Sequence, residues 1–123
     1  VQSAEQLTQS DPAVIKPGNS HTLTCKGSGF TFSSYVMYWV RQSSYGRLQC
    51  LCEINSDGGT IYYHNDVNGR FTVTRDNNNN MLTLKMDNMK TEDSAMYYCA
   101  RDTLIENLSS YNKNKSVISL LFQ

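Results

Sequence analysis

Four cysteines and two histidines are the side chains of this 123-residue sequence best suited to redox or metal chemistry: Cys25, Cys50, Cys52, Cys99, His21 and His64. No Cys-x-x-Cys pair occurs and no spacing assures three ligands, so zinc and thioredoxin-like readings are weak. A structural disulfide is the better expectation, and it implies an oxidising compartment. Cys50 and Cys52 stand apart from that argument. In a strand, residues two apart share a face, with Cα atoms about 6.5–7 Å apart and parallel Cβ vectors, so a bond between these two would need distortion. They are expected to be partly buried free thiols acting as small hydrophobes. An intermolecular disulfide through Cys50 is the sharper alternative, and a metal site with His64 is a third.

Catalytic groupings are missing from the pattern. Neither histidine has an obvious partner, no Ser/His/Asp or Cys/His set is indicated, and no phosphate-binding glycine loop or calcium loop occurs. No enzyme activity, cofactor or metal is expected. Eleven basic and eleven acidic residues cancel, which disfavours nucleic acid and anionic membrane surfaces as partners. No apolar run approaches the roughly 18 residues needed to span a bilayer, so no direct membrane insertion is expected. The sequence opens at Val1 without Met or a basic-then-apolar leader, so any secretion signal is expected to have been removed already or omitted.

The elements that must position these side chains read as strands. The length suits one domain. With 39% hydrophobic and 18% charged residues the composition is globular. Alternation recurs in Ser20-His21-Thr22-Leu23-Thr24-Cys25, Phe71-Thr72-Val73-Thr74-Arg75 and Leu82-Thr83-Leu84-Lys85-Met86. Turn clusters separate these stretches: Lys16-Pro17-Gly18-Asn19, Ser56-Asp57-Gly58-Gly59 and Asp76 to Asn80. The rhythm predicts an all-β sandwich or barrel, with one helical turn near Lys90-Thr91-Glu92-Asp93.

One constellation is specific. Trp39 lies 14 positions after Cys25, Tyr97 lies two before Cys99, and Asp93 precedes Tyr97 by four. With Trp39-Val40-Arg41-Gln42, Gly69-Arg70-Phe71 and Tyr97-Tyr98-Cys99-Ala100-Arg101, the sequence resembles the variable domain of an immunoglobulin heavy chain over about residues 4 to 101. The resemblance implies a V-type β-sandwich of two antiparallel sheets, with a disulfide between Cys25 and Cys99. Trp39 and Tyr97 would lie in its core, and Arg70 would pair with Asp93. Such a disulfide should contribute about 4–5 kcal/mol in the chain-entropy account.

The resemblance also implies where recognition happens. The first hypervariable loop would cover about Gly29 to Tyr38, with Ser34, Tyr35 and Tyr38 exposed. The second would run from Glu53 to about Tyr63, carrying Asn55, Ser56, Asp57 and Tyr62. Tyr, Ser and Asn are suited to adaptable contact surfaces. The expected partners are an antigen and an immunoglobulin light-chain variable domain, the latter against Val40, Gln42, Leu48, Cys50 and Tyr98. Two positions depart from the family: Cys50 stands where a Trp is usual and Arg47 where a Gly is usual, which removes a major apolar anchor. The expected location is outside the cell, secreted or on the plasma membrane. Other readings are an invariant V-type receptor or adhesion domain, and a T-cell receptor variable chain.

After Arg101 the family pattern stops. Residues 102–123 contain no glycine and no Trp/Phe-Gly-x-Gly motif, so the domain is read as 1–101, followed by an atypical tail with the final strand missing or replaced. Asp102-Thr103-Leu104 and Asn112-Lys113-Asn114 can be encoded by near matches to a recombination heptamer and nonamer, with a gap of about 22 nucleotides. The tail is therefore read as an unrearranged germline segment translated past its end. The sequons at Asn107 and Asn114 fall inside it and are discounted.

Overall fold

A computed structural model of the chain describes residues 6–9, 13–101 and 118–122. Its strands are β1 (Gln6–Gln9), β2 (Ala13–Ile15), β3 (His21–Ser28), β4 (Met37–Gln42) and β5 (Leu48–Ile54). They continue with β6 (Ile61–Tyr63), β7 (Phe71–Asp76), β8 (Met81–Met86), β9 (Met96–Arg101) and β10 (Ile118–Phe122). Single 3-10 turns form at Phe32–Ser34 and Thr91–Asp93. The second is the turn expected from sequence; the first lies in a stretch read only as loop.

Two sheets form, one in the order β1-β3-β8-β7 and the other β2-β10-β9-β4-β5-β6. Of the sandwich or barrel expected from the alternation, the fold is the all-β sandwich that the resemblance implied. Leu23 and Cys25 of β3, Phe71 and Val73 of β7, and Leu82, Leu84 and Met86 of β8 alternate with more exposed residues and point into one core. Trp39, Tyr97 and Cys99 face them from the other sheet and are fully buried. The Cys25–Cys99 disulfide joins β3 to β9 and therefore ties the two sheets together.

The last strand is present. β10 pairs antiparallel with β9 (Ile118 opposite Tyr97) and parallel with β2 (Leu120 opposite Ala13). Of the two possibilities, missing or replaced, the slot is filled. Its pairing with β2 is the parallel exception among otherwise antiparallel neighbours.

A β-bulge corrects the reading of the two thiols. Trp39 is opposite Cys52 but Val40 is opposite Cys50, so Leu51 is an extra residue on β5. Adjacent residues of β4 point to opposite faces, so Cys52 shares the inward face with Trp39 and Cys50 the outward face with Val40. Period two predicted a shared face; the inserted Leu51 flips one of them. The same shift puts Leu48 outward opposite Gln42, and Gln49 inward beside Arg41.

Candidate functional site

At the end of the sandwich where β3 leaves and β4 enters, the loop is built on aromatic contacts. Phe32 is buried, Phe30 meets Tyr35 edge-on at 5.6 Å, and the Arg101 guanidinium lies 4.8 Å from the Phe30 ring and 4.4 Å from Tyr35. Gly27 is required by this close approach: a Cβ there would come within 2.8 Å of Phe32 and 2.9 Å of Phe30. The β5–β6 turn is fixed by its own side chains. Asn55 Oδ1 accepts from the Thr60 N–H at 3.0 Å, and Asp57 Oδ1 accepts from Gly59 at 2.7 Å, while Gly58 takes the positive φ (81°).

Arg75, near the end of β7, joins the two loops. Nη1 donates to the carbonyls of Tyr35 (2.9 Å), Ile54 (3.3 Å) and Asn55 (2.8 Å), and Nη2 donates to Phe32 O (2.9 Å). Its guanidinium also lies 4.9 Å from the Phe32 ring. Burial lowers its pKa, with Asp57 opposing. Asn77 extends the clamp by donating to Ser56 O at 2.8 Å. Sequence reasoning passed over Arg75, although a signal was available. Period two from Phe71 and Val73 puts it on the buried face.

Around this clamp, Ser34, Glu53 and Asp57 are exposed, and Tyr62 is 55% exposed. Asn55 and Ser56 are half-buried, the first spending its side-chain oxygen on the turn. Tyr35 and Tyr38 were expected to be exposed; both are half-buried and pack against the core. Tyr35 turns toward Phe30 and Arg101. Tyr38 sits within β4, opposite Glu53 on one side and Ala100 on the other. Tyr63 points inward, and its hydroxyl accepts from the Val73 N–H across the sandwich at 2.9 Å. The third loop, from residue 102, lies outside the described residues.

On the outer face of the six-stranded sheet, Val40 and Tyr98 are buried within the chain. Gln42 Oε1 accepts from the Tyr98 hydroxyl at 3.2 Å. Leu48 is 49% exposed and Cys50 half-buried, so these two supply the open apolar surface of that set. Burial pushes the Cys50 thiol up, with the Glu53 charge adding to it; Cys52 is pushed to about 12, again mainly by burial. His64 turns to its own loop, where its Nδ1 accepts from the Asp66 N–H at 3.1 Å.

The opposite end is held by charge. Asp93 Oδ2 accepts from Arg70 Nη1 at 2.7 Å and from the Lys90 N–H at 2.8 Å. Its Oδ1 accepts from Arg70 Nη2 at 3.0 Å and from Arg41 Nη1 at 2.8 Å. The Tyr97 hydroxyl donates to Asp93 O and accepts from Arg41 at 3.3 Å. Burial alone would raise the Asp93 pKa, but Arg70, the Lys90 N–H and Arg41 outweigh it and hold the carboxyl below its ordinary value. Arg70 had been singled out for this carboxylate; Arg41, only 8% exposed, had not. Its signal was its place two residues after Trp39 on the same inward face. This network braces the scaffold and leaves the loop-bearing end as the candidate site.

A family profile described as the immunoglobulin V-set domain matches residues 8–120 of the chain.

Proposed function

This chain belongs to the immunoglobulin V-set family, and from that premise we propose that it is the variable domain of an immunoglobulin heavy chain. It recognises antigen by surface complementarity and performs no chemistry. V-set domains are generally non-catalytic binding domains and typically extracellular. The observation that carries the reading is the Arg75 clamp. One side chain holds the carbonyls of two loops at 2.8–3.3 Å, so a rigid sandwich presents Ser34, Glu53, Asp57 and Tyr62 on pinned backbone.

Heavy-chain identity rests on Trp39-Val40-Arg41-Gln42, Gly69-Arg70-Phe71 and Ala100-Arg101. The partner is an antigen together with an immunoglobulin light-chain variable domain, the latter seated on Gln42, Leu48 and Cys50. The location is outside the cell, secreted or on the plasma membrane. Among the described residues no helix is long and apolar enough to cross a membrane. Residues 102–123 are proposed to be germline sequence read past the end of the variable segment. Pairing of 118–122 beside β9 is what an extended apolar run does at an open sheet edge, so that proposal stands on the codons.

Transcripts from several clones, sequenced across Arg101, test the reading. Sequences that diverge after Arg101 support an antigen receptor; one invariant sequence would identify an adhesion or receptor domain instead. Co-expression with a light-chain variable domain tests the pairing face. Heterodimer is expected by size-exclusion chromatography and is lost in Leu48→Glu.

A further inference from the structure

The sheet register brings three side chains of different strands into one row. Tyr38 of β4 is directly opposite Glu53 of β5, and Glu53 is directly opposite Tyr62 of β6. Partners of this kind have Cβ atoms about 4.5–5.5 Å apart on a common face. That face is the outer one, because Trp39, Cys52 and Tyr63, the next residue of each strand or the one before, point inward. The result is a glutamate with a tyrosine as its neighbour on each adjoining strand, Glu53 being exposed, Tyr62 55% exposed and Tyr38 half-buried.

Among the described residues the charges around this row leave it negative. The arginines described at this end, Arg75 and Arg101, both have partners elsewhere. The first is taken up by loop carbonyls and the Phe32 ring, the second by the rings of Phe30 and Tyr35. Asp57, on the adjacent turn, adds a second exposed carboxylate whose Oδ1 is held by the Gly59 N–H. Among the described residues Glu53 is in no ion pair. An exposed carboxylate with an exposed tyrosine as its cross-strand neighbour attracts a cation twice over, through the charge and through the quadrupole of the ring.

We propose that Tyr38, Glu53 and Tyr62 form a subsite for an arginine side chain presented by the bound protein. The guanidinium bonds to the Glu53 carboxylate while its plane rests on the Tyr62 ring, a fit the compact ammonium of lysine meets less well. This rests on reading the loop-bearing end as the binding surface, and it adds the chemistry that surface selects.

The probe is a random peptide library displayed on phage, selected against the whole chain. Enrichment of arginine at one position is expected in the selected pool. A selected peptide should lose about tenfold or more in affinity when that arginine is replaced by citrulline, which keeps the shape and removes the charge. Glu53→Gln should erase the discrimination between the two peptides. Tyr62→Phe should keep it and Tyr62→Ala should weaken it, which separates the ring from the hydroxyl. Equal affinity for the arginine and citrulline peptides, or discrimination that survives Glu53→Gln, overturns the subsite. If such charge-blind peptides still protect residues 53–62 from hydrogen exchange, the recognition surface stands without the subsite. If no peptide is selected, or selected peptides leave that segment unprotected, both readings fall.

Discussion

The two ends of β7 solve opposite problems with the same side chain. Arg70 stands just before the strand and Arg75 near its end, about 17 Å apart by strand rise. At the base, Arg70 and Arg41 come from different sheets and close on one carboxylate, Asp93, in the turn between β8 and β9. At the loop end, Arg75 has no carboxylate in ion-pair contact among the described residues; it is satisfied by four backbone carbonyls, Asn77 and a ring. The contrast is between charge neutralisation that ties sheet to sheet and backbone capture that shapes loops. Global stability should therefore depend on the first and loop order on the second.

The most damaging change should be Asp93→Ala. It leaves two guanidinium groups facing each other, one of them buried, and is expected to cost about 3–5 kcal/mol in urea unfolding. The wild-type pH dependence carries the same signature. Because the folded Asp93 pKa lies below its ordinary 3.8, the unfolded chain takes up that proton first as pH falls. The stabilisation is thus complete above that value and is lost as pH drops through the folded one. Arg75→Met should keep the acid limb, since Arg75 faces no carboxylate across an ion-pair distance. A flattened limb in that variant would mean the two ends are coupled and the contrast is wrong.

Arg75→Met comes second. Loss of its hydrogen bonds should cost about 1–3 kcal/mol, less than at the base because the freed carbonyls can reach water as the loops open. Hydrogen exchange should quicken in residues 30–36 and 54–57 and stay unchanged around 90–97. Arg75→Lys should not restore protection, because one ammonium cannot reach both loops in the way a planar fork does.

Much of this frame was legible in the residues, and the gaps have physical causes. Spacing of Cys25, Trp39, Tyr97 and Cys99 matched a known pattern, so the sandwich and its staple followed. Alternation assigned the buried faces of β3, β7 and β8 correctly. It was not carried through to its own consequence for charge: the same period places Arg41 behind Trp39 and Arg75 behind Val73, and an arginine on an inward face has to find acceptors. The position of the bulge was a different matter. Whether Leu51 or a neighbour is the extra residue depends on the register of two strands, a tertiary outcome that the β5 sequence does not encode by itself. Exposure of Tyr35 and Tyr38 failed for a similar reason. Tyr35 is taken up by Phe30 and Arg101, and Tyr38 falls within β4, so neither ring stands clear of its neighbours. Without a Trp/Phe-Gly-x-Gly motif the sequence left the last strand as missing or replaced, and the structure decides between these because pairing needs only extended backbone beside β9 and β2.

Tyr97→Phe gives a finer test of the base. It preserves the core volume but removes the hydroxyl that bonds Asp93 O and Arg41, for an expected loss of about 1 kcal/mol. It should also change the alkaline side. Burial lifts the Tyr97 pKa from 10.0 to about 12, against the pull of Arg41. Between those values the unfolded tyrosine loses its proton while the folded one keeps it, so wild-type stability declines as pH rises through that window. In Tyr97→Phe this part of the decline should disappear, while the acid limb set by Asp93 stays.

The smallest effect should come from the middle of β5, where neither end's arginines reach and the bulge separates two thiols. Cys50→Ser on the outer face should change stability by no more than about 0.5 kcal/mol, as at a surface position without a network. Iodoacetamide should label Cys50 slowly in the folded chain, because burial raises its pKa and little thiolate is present. Cys52, buried beside Trp39 with a pKa near 12, should be labelled only once urea unfolds the sandwich, so mass spectrometry should count one adduct before unfolding and two after. A regular strand would have put both thiols inward and given them the same rate. Equal rates in the folded chain would therefore remove the bulge, and with it the outward placement of Cys50 and Leu48.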